Sequence, residues 1–381
     1  MNISEERPPL TPEDIFCPNL DCPARGQTNQ GNIGVHHQKE RRFLCTQCGK
    51  TFAETKGTIF YRSKKPFDLI TLVVTLFSYG CPLQAIVAAY GLDQRTVSSW
   101  LEKSGAHCNL LHQHLVEQPR PLGQVQCDEL RIKSQGAIYW MALALMVPTR
   151  LWLGGEVSEN RDSLLIEKLI EGVKRCASAL GGAILFCTDG LASYPKAILK
   201  IFREKEPRRE AGRCRLIEWK QILIAQVVKE YERKRVVGLT RRIYRGTQEA
   251  VSKVILQTQG RGEINTAYIE RFNATLRSRL SNLARRTRSL ARESKSLKAG
   301  MYLVGCVYNF CTHHKSLRME GLVGGHKWLE RTPAMASGIT EHCWSVRELL
   351  WYKVPPEKWK PERKRGRPSR VLKLLIARWS Q

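Results

Sequence analysis

The chain has 381 residues, with 62 Lys and Arg against 35 Asp and Glu, a formal net charge of +27. That length allows two or three domains, and so large a charge calls for an anionic partner, nucleic acid before acidic membrane. No apolar run approaches the ~20 residues that span a bilayer, and the polar start MNISEERPPLTPED is no secretion signal, so no membrane partner is expected.

Thirteen cysteines without such a signal argue for a reducing, cytoplasmic setting rather than a disulfide framework. Residues 1–14 are expected to be disordered. Residues 15–58 carry Cys17 and Cys22, then Cys45 and Cys48, with Gly49 after the second pair as a tight knuckle requires. Two such pairs can close a tetrahedral thiolate site, so a structural Zn²⁺ ribbon is expected. The first pair is spaced more widely than usual, and His36 and His37 are substitutes. Unligated cysteines in a small apolar cluster are the alternative, disfavoured because so short a unit has too little core to fold unaided.

Residues 66–118 read as helices. Phe67–Tyr79 is apolar, Pro82 opens a second helix, Gly91 supplies a tight turn, and Asp93 is a natural N-cap for a third. Ile86, Val87, Tyr90, Leu92, Val97 and Trp100 give the buried positions of a helix-turn-helix, leaving Gln94, Arg95, Ser98 and Ser99 for a DNA groove. An ordinary helical hairpin is the alternative. The third helix is extended to Val116, against Gly105.

Pro119 and Pro121 mark a boundary before an α/β region, 122–320. Strands are expected over 123–132, 137–147 and 151–156, a helix over 161–179, a doubly covered strand over 183–188 ending on Asp189-Gly190, and a helix over 194–202. This is the opening order of a ribonuclease-H-like fold, which makes the first strand central and sets the strand after the helix beside it. Asp128 and Asp189 then become neighbours. Residues 203–262 are less legible: 205–213 reads as a loop, 222–232 as a helix and 235–244 as a basic strand. A helix from Thr266 to Arg279, extended to Arg292, carries Glu270 in a run otherwise crowded with Lys and Arg, and 301–311 is an apolar helix. Residues 312–356 read as irregular. The stretch 321–381 is a basic extension whose Arg365-Gly366-Arg367-Pro368 core is that of an AT-hook, a minor-groove reader of A·T-rich DNA, or else merely basic. Packing suits Trp344, Trp351 and Trp359 better than base stacking.

Asp128, Asp189 and Glu270 are the carboxylates that two Mg²⁺ or Mn²⁺ ions would need for phosphodiester chemistry. An Asp closing a buried strand must find a partner or a metal, which favours Asp189. Glu129 stands beside Asp128, and Glu263 rivals Glu270. Arg277 follows Glu270 by two helical turns and shares its face.

Here the motifs CDEL (127–130), CTDGLASYP (187–195), NTAYIERFNATLRSRL (265–280) and YNFCTHHKSLR (308–318) resemble those of bacterial insertion-sequence transposases of the DDE type, closest to the insertion element one family and its zinc-ribbon relatives. The resemblance covers about residues 15–320. It implies catalytic Asp128, Asp189 and Glu270, with DNA held by Arg271, Arg277 and Arg279; in the tail, outside the resemblance, the AT-hook reading would have Arg365 and Arg367 enter the minor groove. The resemblance also implies binding of terminal inverted repeats of double-stranded DNA, metal-dependent strand cleavage and transfer to target DNA. Joining two ends implies a homodimer or larger assembly, at the nucleoid. The rival readings are a DNA-binding regulator that no longer cuts and a ribonuclease-H-like nuclease that hydrolyses without joining.

Overall fold

The computed structural model describes residues 9–206, 214–233, 235–260, 262–284, 290–291, 293–321, 327–361 and 369–379. They form two compact units, Met1–Phe67 with Trp351–Gln381, and Asp68–Leu350. The first unit begins with antiparallel strands β1 (Ile33–His37), β2 (Arg42–Cys45) and β3 (Thr51–Ala53), in that spatial order. Of the expected N-terminal disorder, residues 1–8 lie outside the described residues, and Leu10 is buried.

Helix α1 (Phe67–Ser78) leads into the second unit, followed by α2 (Leu83–Tyr90) and α3 (Gln94–Leu115). Gly91 takes a left-handed φ of 58°, and the Asp93 carboxylate accepts from the amides of Arg95 and Thr96, so turn and cap fall where the sequence sets them. The α3 helix runs straight through Gly105. There a Cβ would meet Ala299 Cα at 2.4 Å, so the missing side chain lets another helix approach.

The centre of this unit is a mixed six-stranded sheet. Its strands are β4 (Gln124–Lys133), β5 (Ile138–Met146), β6 (Trp152–Ser158), β7 (Ile184–Asp189), β10 (Ile222–Glu232) and β11 (Arg235–Arg245), in the order β11-β10-β7-β4-β5-β6. The first three form an antiparallel meander, and β7 pairs in parallel with both β4 and β10. Between them come α4 (Ser163–Cys176), α5 (Ser193–Ile201) and the small pair β8 (Arg203–Lys205) and β9 (Leu216–Glu218). The apolar face of α4 (Leu165, Ile166, Leu169, Ile170, Val173) is buried, as its spacing requires. The expected helix over 222–232 is instead strand β10. Its β-branched run is buried beside β7 and zipped to β11, and that tertiary pairing overrides local preference. Of the expected loop 205–213, residues 207–213 lie outside the described residues.

Beyond the sheet lie α6 (Gln248–Gln259), which the sequence did not announce, α7 (Ala267–Arg279) and α8 (Ser294–Cys311). The expected continuation of α7 to Arg292 does not occur. Leu280 turns extended (φ −116°, ψ 106°) and sets its side chain against Gly300 of α8, while 285–289 and 292 lie outside the described residues. The region read as irregular contains β12 (Met319–Glu320), β13 (Trp328–Leu329), α9 (Pro333–Ala336) and α10 (Val346–Trp351).

The chain then returns to the first unit. The described parts of the tail are built into it: Trp351 packs on Phe60 and Phe67, Arg25 Nε donates to Glu357 O at 2.8 Å, and α11 (Arg370–Trp379) buries Trp379. In the second unit Trp344 stacks on Phe310 at 5.0 Å. Arg365 and Arg367 of the AT-hook core lie outside the described residues. Among the described residues no helix is long and apolar enough to cross a membrane.

Glycine-to-alanine within a helix ordinarily stabilises by up to about 1 kcal/mol. At Gly105 the sign should reverse. Gly105→Ala is expected to cost about 1–3 kcal/mol by overpacking against Ala299, read as a lower urea midpoint at unchanged m-value.

Candidate metal centres

In the first unit the knuckles bring Cys17, Cys22, Cys45 and Cys48 together, with all four Sγ atoms within 4.8 Å of one another. The Cys17–Cys48 and Cys22–Cys45 separations are 3.7 and 3.9 Å. A tetrahedron of Zn–S bonds near 2.3 Å has edges of about 3.8 Å, so the cage fits zinc. Burial, helped by the other thiols, pushes the Cys17 thiol well up and that of Cys22 up to about 12. Burial also acts on Cys48, but hydrogen bonds from the Lys50 amide and from neighbouring side chains hold it below the usual thiol range. Four sulfurs converging at these separations suit a cation better than an apolar core. Trp379, Trp359 and Leu375 pack against this cluster, and Gln27 Nε2 donates to Trp379 O at 2.9 Å.

The second centre begins with β4. Its alternate residues Gln124, Gln126 and Asp128 share one face. Gln126, fully buried, accepts the amides of Tyr268 and Ile269 at 2.9 and 3.0 Å and donates to Asn265 O. These are orphan donors of the first turn of α7, whose N-cap Thr266 makes no side-chain cap. The helix start is thereby pinned two residues from Asp128. One turn on, Asn273 Nδ2 donates to Asp128 Oδ2 at 2.8 Å.

Asp189 ends β7 beside β4, and its Oδ1 accepts the Leu191 amide at 3.0 Å. Gln226 of β10 donates to the Asp189 carbonyl at 2.9 Å and fixes the strand end. Oxygens of Asp128, Glu129 and Asp189 all lie within 4.8 Å of one another. Arg161, stacked over Trp140, reaches Glu129 at 3.4 Å and Asp189 at 3.5 Å. The Glu129 side chain is 1% exposed, and its Oε2 has no partner among the described residues.

Glu270 lines the same cleft of about 810 Å³, together with Asp128, Asp189, Lys229 and Arg277. Its carboxylate stands outside the three-acid group. Oε1 accepts from Lys229 Nζ at 2.6 Å and Thr266 Oγ1 at 3.0 Å. Glu263, the rival, pairs with Arg241 at 2.8 Å. Arg277 therefore shares a cleft with Glu270, whereas Arg271 and Arg279 do not line it. Gln94, Arg95, Ser98 and Ser99 line a shallow depression with Asp93 and Glu102 on the first turns of α3.

No family model matches the chain. No curated protein matches it either. Among solved structures, a chain of the cryo-EM structure of the simian T-cell lymphotropic virus intasome in complex with PP2A regulatory subunit B56 gamma is similar over 79% of this chain and 80% of its own, at 11% identity and a TM-score of 0.24.

Sequence reasoning left Glu129 unassigned and missed Arg161, Lys229, Asn273 and Gln126. The period-two run of polar residues in a strand otherwise apolar was the available signal for Gln126. Lys229 was hidden by the helical reading of its segment.

Two expected outcomes follow from these centres. The protein should carry one zinc per chain. Its removal by a strong chelator, or Cys17→Ser, should uncover Trp379 and shift tryptophan emission to the red, a shift absent in Trp379→Phe. At the acid cluster, burial first, then the charges of Asp189 and Glu270, raise Asp128 to about 6 against the opposing Glu129 amide. Burial and then Asp189 raise Glu129 to about 7 against Arg161. Between about pH 4 and 7 the folded metal-free protein keeps protons that the unfolded chain has lost, so its stability falls as pH rises through that window. Mn²⁺ binding should release protons at pH 6 and almost none at pH 8, measured by calorimetry in buffers of different ionisation heat, and Glu129→Gln should lessen the release.

Proposed function

We propose that this chain is a DNA transposase of the DDE type, with a ribonuclease-H-like catalytic unit that cuts element ends and joins them to target DNA. The observation that carries the proposal is the meeting of Asp128 and Asp189 on adjacent parallel strands, with an α7 tied to the same strand through Gln126 and carrying Glu270 into the same cleft. Oxygen donors alone, one of them buried and unpartnered, are the donor set of a hard divalent ion. Asp128, Asp189 and Glu129 would hold Mg²⁺ or Mn²⁺, with Glu270 joining them; such ions polarise the phosphodiester and steady the leaving oxygen.

The chain's own residues supply the rest. Asn273 keeps the Asp128 carboxylate turned into the cleft. Arg277 offers a guanidinium to a backbone phosphate on the face that carries Glu270. Lys229 holds Glu270 before loading and must release it, and Arg161 must likewise yield Asp189. The basic composition, the helix-turn-helix and the ribbon support duplex DNA as substrate, bound by two or more copies since two ends are joined.

A duplex selected by binding from a random pool, incubated with Mn²⁺, tests the reading. Nicked and joined products are expected. Asp189→Asn should lower both by roughly 100- to 1,000-fold or more while sparing duplex binding. Nicks without joining would leave a nuclease. Binding without either, untouched by Asp189→Asn, would leave a regulator, the reading that the Glu270–Lys229 tie favours.

A further inference from the structure

Helix α7 has a second functional face. With 3.6 residues per turn, Tyr268, Arg271 and Arg279 lie roughly opposite the cleft-lining Glu270, Asn273 and Arg277. On that side Arg150, from the turn between β5 and β6, lies over the Tyr268 ring at 4.0 Å. It holds a left-handed φ of 60°, uncommon for a residue other than glycine. Arg279 lies over Tyr79 at 4.7 Å and reaches Thr312 Oγ1 at 3.4 Å. His314 meets the Tyr308 ring edge-on at 4.5 Å, and Tyr308 packs on Phe272 of α7 at 4.7 Å. The His314 Nε2 atom is buried, with no hydrogen-bond partner among the described residues.

Among the described residues no carboxylate pairs with Arg150, Arg271 or Arg279. The neighbouring His313 pairs with Glu330 at 3.2 Å. The side chains feel one another: burial first, then Arg279, Arg150 and Arg271, push His314 down to about 4. Burial also lowers Arg150 and Arg279. Partly desolvated cations gathered without a counter-ion repel one another, and stacking on tyrosines relieves only part of that cost. A tetrahedral dianion or phosphodiester would satisfy them together, since guanidinium forks match phosphate oxygens.

We propose that Arg150, Arg271, Arg279 and His314 form a phosphate-binding site for a nucleic-acid backbone, separate from the acid cleft. A helix is ~10–12 Å across with its side chains, so the phosphate held here is not the one in the cleft. It belongs to flanking nucleotides or to another strand. The proposal rests on the DNA reading only for the source of the phosphate. His314, neutral in the free protein, takes a proton as the anion enters and becomes a further donor.

The test uses the full chain and the imidazole NMR signals of His314, assigned by His314→Gln. Inorganic phosphate should shift them and raise the His314 pKa, and a short duplex should do so at concentrations at least 100-fold lower. Arg271→Gln, at an exposed position, and Arg150→Gln should each weaken duplex binding about tenfold and lower the slope of log affinity against log salt by about one. Arg271→Lys should restore the slope but only part of the affinity. Shifts with phosphate but none with duplex would overturn the backbone assignment. No shift with either probe, or unchanged slopes in both folded variants, would overturn the site. Asp189→Asn should leave all these readouts intact, so failure of the cutting chemistry and failure of this site are told apart.

Discussion

One buried amide carries much of the second unit. The Gln126 side chain sits on the central strand, under the start of α7, and spends its donors and acceptor on Asn265, Tyr268 and Ile269. A helix end needs partners for its first amides, and a buried glutamine needs partners for its own atoms, so each satisfies the other. The register is then fixed: Asp128 is the next residue on that face of β4, and Glu270 and Asn273 fall within the first two turns of the helix. Gln124 continues the pattern, bonded to Thr258 and Gln259 of α6 at 2.7 and 2.8 Å. A polar stripe inside an apolar sheet thus sets two helices against the strand that carries the first acid.

The acids are crowded, and groups of the chain itself offset part of their charge. Burial raises the carboxyls of Asp128 and Glu129 above the usual carboxylate range, Arg161 spans Glu129 and Asp189, and Lys229 holds Glu270. Under the proposed function each device would be exchangeable: a divalent cation held by these acids would take the place of a proton or an ammonium and leave Lys229 to face a phosphate. On the opposite side of α7, among the described residues, the guanidinium groups of Arg150, Arg271 and Arg279 have no carboxylate partner. One helix therefore separates a cleft where acids and bases are paired from a cluster of cations.

Much of the architecture was legible because it follows local rules. Asp93, Gly91 and Pro82 mark their turn and caps through backbone chemistry that needs no tertiary context. The run Ile184–Asp189 reads as a strand because it is apolar on both faces. The failures have a common cause. Ile222–Glu232 carries both helical and strand signals, and only pairing with β7 and β11 decides between them. The end of α7 depends on Leu280 finding Gly300 of another helix. The site was legible as residue types but not as partnerships: Asp128, Asp189 and Glu270 stand in recognisable motifs, whereas Arg161 and Lys229 are ordinary surface cations until the fold brings them to the acids. The Arg150–His314 cluster draws on three separate stretches of chain: Arg271 and Arg279 stand out in the sequence as basic residues of one helix, but nothing there joins them to Arg150 and His314.

The first unit is discontinuous in the chain, which gives it a history in time. Gln27 and Trp379, joined by a hydrogen bond, are 352 positions apart. At synthesis rates of ~5–20 residues per second, roughly 20–70 s separate the emergence of the ribbon from that of α11. During that interval the four thiols stand without their tryptophan cover, and a metal ion can enter without displacing a packed helix. An ion bound then would be enclosed once α11 docks. If the cage takes zinc as its geometry allows, loading early and sealing late would make the order of translation part of how this centre is assembled.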